Sequence, residues 1–422
     1  MTRGRGDKGA PGFADLEDAR RLLAPLLDPT PLLGAPGFSR LAGREVRLKA
    51  ENLQVAGSFK IRGAYNRISR LKTKRGVIAA SAGNHAQGVA LAAARLGIPS
   101  TIVMPEETPL IKVDRTKGYG AEVILHGGSL EEAFKKANQI RARRRLTFVH
   151  AYEDRDVMAG QGTIGLEILE TYPDVQAILV PVGGGGLISG IAIAVKTLKP
   201  GVRVIGVQAR GAAPAVKSFR EGQIARLPSA DTLADAIRFK QASSVTMPII
   251  RKYVDDMVDV TEEEISESMV RLLEESRLVA EGAGAVGVAA ILAGRVSRRF
   301  SRVCAVISGG NVDLNMMARV VEQGLSRANR YLVLRSKIPD KPGRLYGMLT
   351  HLSERRINVL DVRHNRAGWR IPLGWVEVEL LVETRNAGHI QEIIRSLNQA
   401  GYKVERAERD SAKPGRRGSG RS

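Results

Sequence analysis

Short β-branched runs alternate with Ala/Leu/Gly-rich stretches through about the first 310 residues, the pattern of a parallel sheet with crossover helices. Strands are expected at Val77–Ala80, Thr101–Met104, Glu122–Leu125, Ala177–Val182, Val202–Gln208 and Val303–Ile307. Helices are expected at Ala86–Leu96, Leu110–Tyr119 and Leu187–Leu198, and Glu262–Glu275 is charged and periodic, as a surface helix would be. Three of these strands run into polar, glycine-bearing loops: Ser81–His85, Gly183–Gly186 and Ser308–Asn311. In open α/β sheets, ligands bind beyond the carboxyl ends of the strands, so these three loops are the first functional clue.

The pattern changes after about Gln323. Tyr331–Ser336 alternates as a strand, and Pro339–Arg344 is a turn leading into a helix, Leu345–Glu354. Val359–His364 and Trp375–Val382 are two further strands, Ala387–Ala400 a second helix, and Tyr402–Arg406 closes the unit. This is a ferredoxin-like βαββαβ order. The expected organisation is a disordered N-terminus over 1–12, a catalytic α/β region over 13–325 with a smaller subdomain near 56–155, a βαββαβ domain over 331–406, and a disordered basic tail over 411–422.

Composition narrows the class. A chain of 422 residues, 43% hydrophobic and 26% charged, is globular and long enough for two or three domains of roughly 100–200 residues. No apolar run approaches the roughly 20 residues that span a bilayer, and no apolar segment of a secretory signal follows Met1, so a cytoplasmic protein with no membrane partner is expected. The single cysteine, Cys304, excludes a disulfide framework and a Cys-based zinc site. A formal charge of +21 invites a nucleic-acid reading. Yet the basic clusters at Arg141–Arg145, Arg298–Arg299 and Lys413–Arg421 have no interleaved aromatics, and aromatics are only 4% of the chain. A scattered basic surface is the plainer reading; a nucleic-acid-binding protein stands as the alternative of a different class.

The run Gly183–Gly186 lies between a strand and a helix, where backbone N–H groups can hold an anion. A Walker A loop needs Gly-Lys-Ser/Thr at its end, and Leu187-Ile188-Ser189 follows instead. A dinucleotide fold needs an acid at the end of the next strand, which here is Gln208. A small phosphorylated cofactor remains, beside an anion-free tight turn, although four glycines in a row cost chain entropy.

Four motifs in order, Ser58-Phe59-Lys60-Ile61-Arg62-Gly63-Ala64, Ser81-Ala82-Gly83-Asn84-His85, Gly183-Gly184-Gly185-Gly186-Leu187 and Ser308-Gly309-Gly310-Asn311, resemble the pyridoxal-phosphate serine/threonine dehydratases over about residues 13–325. The resemblance implies the tryptophan synthase β-subunit-like fold (fold type II, two open α/β subdomains) and pyridoxal 5'-phosphate as cofactor. It makes Lys60 the Schiff-base lysine and the base for the α-proton, a role that suits a desolvated amine. It places Phe59 on the pocket wall, Asn84 on the cofactor's ring hydroxyl, Gly183, Gly184, Gly185, Gly186 and Leu187 around its phosphate, and Ser308 at its pyridine nitrogen. Ser81, Ala82, Gly83 and His85 fall to the substrate carboxylate. Ala56 departs from the family, which commonly carries Thr there; no reacting group changes.

The same resemblance implies a threonine ammonia-lyase acting on L-threonine and L-serine, with a serine racemase or serine dehydratase as the alternative. Racemases carry a second serine where Ala82 stands, and a methyl group can neither give nor take a proton. Some relatives hold a divalent cation through an acid just after the Val202–Val207 strand; here Gln208 stands in that place and Gly211-Ala212-Ala213 follows, so the anionic oxygen is missing, and with no His-x-x-x-His pair no metal is expected. The C-terminal unit, with Pro339-Asp340-Lys341-Pro342-Gly343-Arg344-Leu345, is similar to an ACT regulatory domain. That similarity implies an amino-acid effector near Asp340, Pro342, Gly343 and Leu345, and a homo-oligomer, dimer or tetramer.

Overall fold

The computed structural model describes residues 9–72, 74–327, 329–366 and 371–407. It divides into two compact units, Met1–Met317 and Ala318–Ser422, and the division falls inside the helix Leu314–Arg327. Of the N-terminal segment expected to be disordered, residues 1–8 lie outside the described residues, as does the tail 411–422. Residues 9–12 lead directly into the helix Phe13–Leu23, and the Gly12 N–H donates to Asp15 Oδ2 at 2.6 Å.

The first unit holds two sheets. The larger runs, in spatial order, Leu32–Gly34, Glu45–Lys49, Arg302–Val306, Ala177–Pro181, Arg203–Ala209 and Asp256–Val260. Only its first pair is antiparallel. The smaller is parallel throughout: Glu122–Leu125, Ser100–Met104, Val77–Ala80 and Thr147–Phe148. The expected strands all appear, within a residue or two of their expected ends. The helix after Val77–Ala80 begins at Asn84, two residues earlier than the apolar pattern suggests, because Gly83 provides its N-cap.

Helices cover both faces of the sheets, which is why the central strands are apolar throughout. Ile178, Val180, Ile188, Ile191, Val204 and Met257 belong to one core and Ile61, Val89, Ile102 and Met104 to another. The helix Arg155–Thr171 joins the two layers. A Cβ on Gly160 would lie 2.6 Å from the Arg62 carbonyl, and one on Gly190 would lie 2.2 Å from the Met158 carbonyl. These glycines let Arg155–Thr171 approach the Lys60–Ser69 helix along one side and the Gly186–Leu198 helix along another. Lys60 and the glycine loop are thereby fixed relative to each other.

A buried ionic cluster reinforces that joint. Arg62 donates Nε to Glu51 Oε2 at 2.8 Å, Nη2 to Glu51 Oε1 and Glu167 Oε2, both at 2.9 Å, and Nη1 to Thr163 Oγ1 at 3.0 Å. Lys49 Nζ donates to Glu167 and to the Thr30 carbonyl, the latter at 2.7 Å, and Thr30 donates to Glu51. Burial alone would push Glu167 up, but Arg62 and Lys49 outweigh it and hold the carboxyl below its usual range. Two cations facing two carboxylates leave no unpaired charge in a largely buried site, Glu167 alone keeping some contact with solvent.

In the second unit the strands Tyr331–Pro339, Val359–Asn365, Trp375–Glu383 and Val404–Arg406 form one antiparallel sheet, with Val359–Asn365 at one edge and Val404–Arg406 at the other. The helices Arg344–Glu354 and Ala387–Gln399 supply Leu352 and Ile393 to a core with Leu334, Val378 and Leu380. The βαββαβ order read from the sequence is the order observed. Asp340, Pro342, Gly343 and Leu345 sit at the first strand-to-helix turn, where Gly343 takes φ +82° as N-cap and Asp340 accepts from Arg366 Nε at 3.2 Å.

Candidate active site

Three of the four motif loops are tied to one another by hydrogen bonds. The Phe59 N–H donates to the Ser308 carbonyl at 3.2 Å, Gly310 N–H to the Gly57 carbonyl at 2.9 Å, and Ser58 bridges Gly309. Asn311 Nδ2 reaches both the Ala56 carbonyl, at 2.8 Å, and Asn84 Oδ1, at 2.9 Å. The fourth, the glycine loop, is joined through the segment that follows Thr147–Phe148. Lys60 Nζ donates to the Ala151 carbonyl at 3.0 Å, and the next residue, Tyr152, packs against the glycines.

Lys60 begins its helix, with the Phe59 ring 5.1 Å from Nζ. Burial pulls its amine down to about 8, against partial compensation from Glu281. An amine so placed is part neutral near neutral pH and able to act as nucleophile or base.

The glycine loop admits no side chain. A Cβ on Gly183 would lie 2.9 Å from Phe239, on Gly184 2.3 Å from Tyr152, on Gly185 2.4 Å from Thr246 Oγ1, and on Gly186 2.8 Å from Tyr152. Gly185 takes φ +87° as N-cap of the helix Gly186–Leu198, and Thr246 Oγ1 donates to the Gly184 carbonyl at 2.8 Å. With that carbonyl held, the loop's N–H groups and the first turn of the helix remain as donors for an anion. Gln208, at the end of the next strand, is a structural anchor. Its Nε2 donates to the Val182 carbonyl at 3.0 Å, while Oε1 accepts from Ala215 and Val216 N–H at 2.8 and 3.0 Å. It ties the start of the glycine loop to the helix Pro214–Glu221.

Around the asparagine loop, Ser81 Oγ accepts from Gly83 N–H at 3.3 Å, and the helix Asn84–Arg95 points its N-terminal turn into the loop. The His85 ring is buried and donates Nε2–H to the Val149 carbonyl at 2.9 Å. Burial and then Lys60 pull its pKa down to about 3, so it stays neutral. Asn84 Nδ2 donates to Glu281 Oε1 at 2.7 Å. Glu281 is 5% exposed; burial, with Asp235 adding to the push, raises its carboxyl to about 7.

Glu281, Tyr152, Phe239 and Thr246 are site residues that the sequence reading missed. Glu281 left one trace, as the lone charged residue between Leu278 and Leu292. The expected effector residues Asp340, Pro342, Gly343 and Leu345 belong to the other unit.

These residues fit a phosphorylated aldehyde. The glycine cradle suits its phosphate, the depressed Lys60 amine its carbonyl, and Ser58 Oγ, fully buried, has no protein partner. Among the described residues no group of three or more His, Cys, Asp or Glu side chains could hold a metal ion.

The sequence pattern of a family described as pyridoxal-phosphate dependent enzyme matches residues 23–309. An L-threonine ammonia-lyase of Thermotoga maritima is 47% identical over 393 residues, covering 92% of this chain and 98% of that protein. Among solved structures, maize serine racemase superposes with a TM-score of 0.71 at 34% identity, covering 76% of this chain and 99% of its own. The processed form of threonine deaminase isoform 2 from Solanum lycopersicum gives 0.70 at 35% identity, covering 76% of this chain and 91% of its own. The racemase and deaminase structures share the fold type II architecture of the first unit, whereas the Thermotoga relative extends across both units. On the match of the family pattern over most of the first unit and the 47% identity to the Thermotoga lyase across both units, the chain belongs to the pyridoxal-phosphate-dependent enzymes, in the threonine ammonia-lyase family.

Proposed function

We propose that the protein converts L-threonine to 2-oxobutanoate and ammonium, and L-serine to pyruvate and ammonium. The observation that carries this reading is the buried Lys60 amine, lowered to about 8, beside the helix N-terminus of the asparagine loop and the glycine cradle. When bound, the cofactor supplies the electron sink that acidifies the substrate's α C–H. Everything else is asked of the chain.

Gly183–Leu187 would hold the phosphate through backbone amides, Ser308 would meet the ring nitrogen and Asn84 the ring hydroxyl. The amides at the start of Asn84–Arg95, with Ser81 Oγ, would hold the substrate carboxylate. His85 would contribute its backbone N–H, since its ring is committed to Val149. With the carboxylate fixed, Lys60 Nζ would take the α-proton, and that proton with the departing β-hydroxyl would make up the water lost. That water is regained when the resulting enamine hydrolyses, so the net change is loss of ammonia. A neutral Ser308, in place of an acid, would not hold the ring nitrogen protonated, which weakens the electron sink and would favour elimination.

The superposition on maize serine racemase favours racemisation as the second reading. Ala82 argues against it, because no side chain there can serve the opposite face of the α-carbon. For the C-terminal unit the proposed role is an ACT-type regulatory domain of a homo-oligomer, with an amino-acid effector near Asp340, Pro342, Gly343 and Leu345.

Steady-state kinetics on L-threonine and L-serine, with and without isoleucine and valine, test the whole reading. Yellow protein forming 2-oxo acid supports it. Colourless protein whose binding to DNA falls steeply with salt would overturn it in favour of the nucleic-acid reading.

A further inference from the structure

The helix Leu110–Gly118 flanks the smaller sheet, yet two of its side chains pair with residues of the larger layer. Lys112 and Arg115 lie one turn apart on a single helix face. Lys112 Nζ meets Asp235 Oδ2 at 3.0 Å, and Arg115 Nη1 donates to Asn311 Oδ1 at 3.5 Å. Asn311 then reaches Asn84, and Asn84 reaches Glu281. The Asp235 end lies beside the same residue in the chain: a Cβ on Gly282, next to Glu281, would lie 3.0 Å from Ala234 Cα, next to Asp235.

We infer that Lys112 and Asp235 are positioning residues, an ion pair joining the Leu110–Gly118 helix to the segment beside Glu281, which biases Glu281 and, through its hydrogen bond, orients Asn84. Asp235 is half exposed and Lys112 mostly buried, so the pair itself adds little to stability. Its place is what matters. The charged groups acting on Glu281 are Asp235, which raises its carboxyl, and Lys112 and Lys60, which lower it together with the Asn84 hydrogen bond. The two partners of one ion pair therefore push Glu281 in opposite directions. An ionised Glu281 is the stronger acceptor for Asn84 Nδ2, and a carboxyl shared between the two states would let that side chain drift.

The opposed signs make the inference testable on the holoenzyme. Lys112→Gln should move the acid-side inflection of log kcat/KM upward by about half a pH unit, and Asp235→Asn should move it downward by a similar amount. The exchange K112D/D235K restores a pair with its polarity reversed and should leave the inflection below that of the parent. Glu281→Gln should abolish it. The turnover measurement rests on the lyase reading. A second measurement does not: the pH dependence of the melting temperature of the cofactor-free protein, which should shift in the same three directions. A mere clamp between layers predicts that both single variants shift alike, or not at all, and that the exchange restores the parental profile. Either result, in the melting data alone, overturns the inference.

Discussion

Tyr152 and Phe239 meet edge to face, with ring centroids 5.5 Å apart and planes at 88°. Tyr152 follows the smaller sheet's last strand and Phe239 belongs to the segment before Met247–Tyr253, yet both rings bear on the glycine loop, one at Gly184 and the other at Gly183. The pair thus does from the side what a longer side chain in the loop would do from within. It fills the space next to the cradle and leaves only backbone facing an anion.

Gly184→Ala should for that reason act on cofactor affinity, through a displaced loop or ring. The added methyl would stand 2.3 Å from Tyr152, so either the ring or the loop must move. The dissociation constant for pyridoxal phosphate, read from visible absorbance, should rise about tenfold or more, since one misplaced cradle bond is worth roughly 1.4 kcal/mol. An unchanged constant would mean that the glycine run holds no phosphate.

Glu281→Gln should trade activity for stability. A carboxyl whose folded value, about 7, lies above its ordinary value of 4.5 binds more protons in the folded state, so its cost appears as pH rises through that window. Below about 4.5 the cost is absent, and above 7 it is complete, at about 3 kcal/mol. Glutamine keeps the acceptor for Asn84 and removes the charge. Urea melts of the cofactor-free protein should show the variant more stable at pH 8, with the advantage fading toward pH 4.5.

The opposite sign is expected in the Arg62 cluster. Glu167→Gln leaves Lys49 with no carboxylate partner and Arg62 with Glu51 alone, and breaking a buried ion pair costs about 3–5 kcal/mol. The loss should appear in urea melts at pH 7. Equal stability of parent and variant would show that water relieves the cluster.

Ala82→Ser tests reaction type. The parent should form 2-oxo acid from L-serine with little D-serine, and the variant should raise the racemised fraction, as read by chiral chromatography of the remaining substrate. Lys60→Ala should abolish both reactions. D-serine accumulating as fast as pyruvate in the parent would make it a racemase.

The parts of the site that could be read from the sequence are those held by short-range rules. Strand-loop-helix punctuation places Ser81–His85, Gly183–Gly186 and Ser308–Asn311 at strand ends, and the structure has them there. Strands with charge in the alternation, such as Glu45–Lys49, escaped notice because Lys49 is buried only by virtue of Glu167 and Thr30. The helix Gly282–Leu292 is buried on every side and so has no polar face to betray it. Glu281, Tyr152, Phe239 and the Lys112–Asp235 pair belong to the site through tertiary contacts between distant segments, and no local spacing encodes those. His85 illustrates the limit: its position in the motif was legible, but the direction of its ring, toward Val149, was not.

The order of strands in the larger sheet also bears on how the chain reaches this state. Glu45–Lys49 pairs with Arg302–Val306, which in turn pairs with Ala177–Pro181, so Val46 finds its neighbour Val303 only after nearly the whole first unit has been synthesised. The smaller sheet, in contrast, draws all its strands from between Val77 and Phe148 and can assemble while the ribosome is still at work. Pairings so distant in sequence close slowly. Until they do, the Glu45–Lys49 strand is an open edge awaiting its partner, the stage at which the nascent enzyme is most exposed to aggregation.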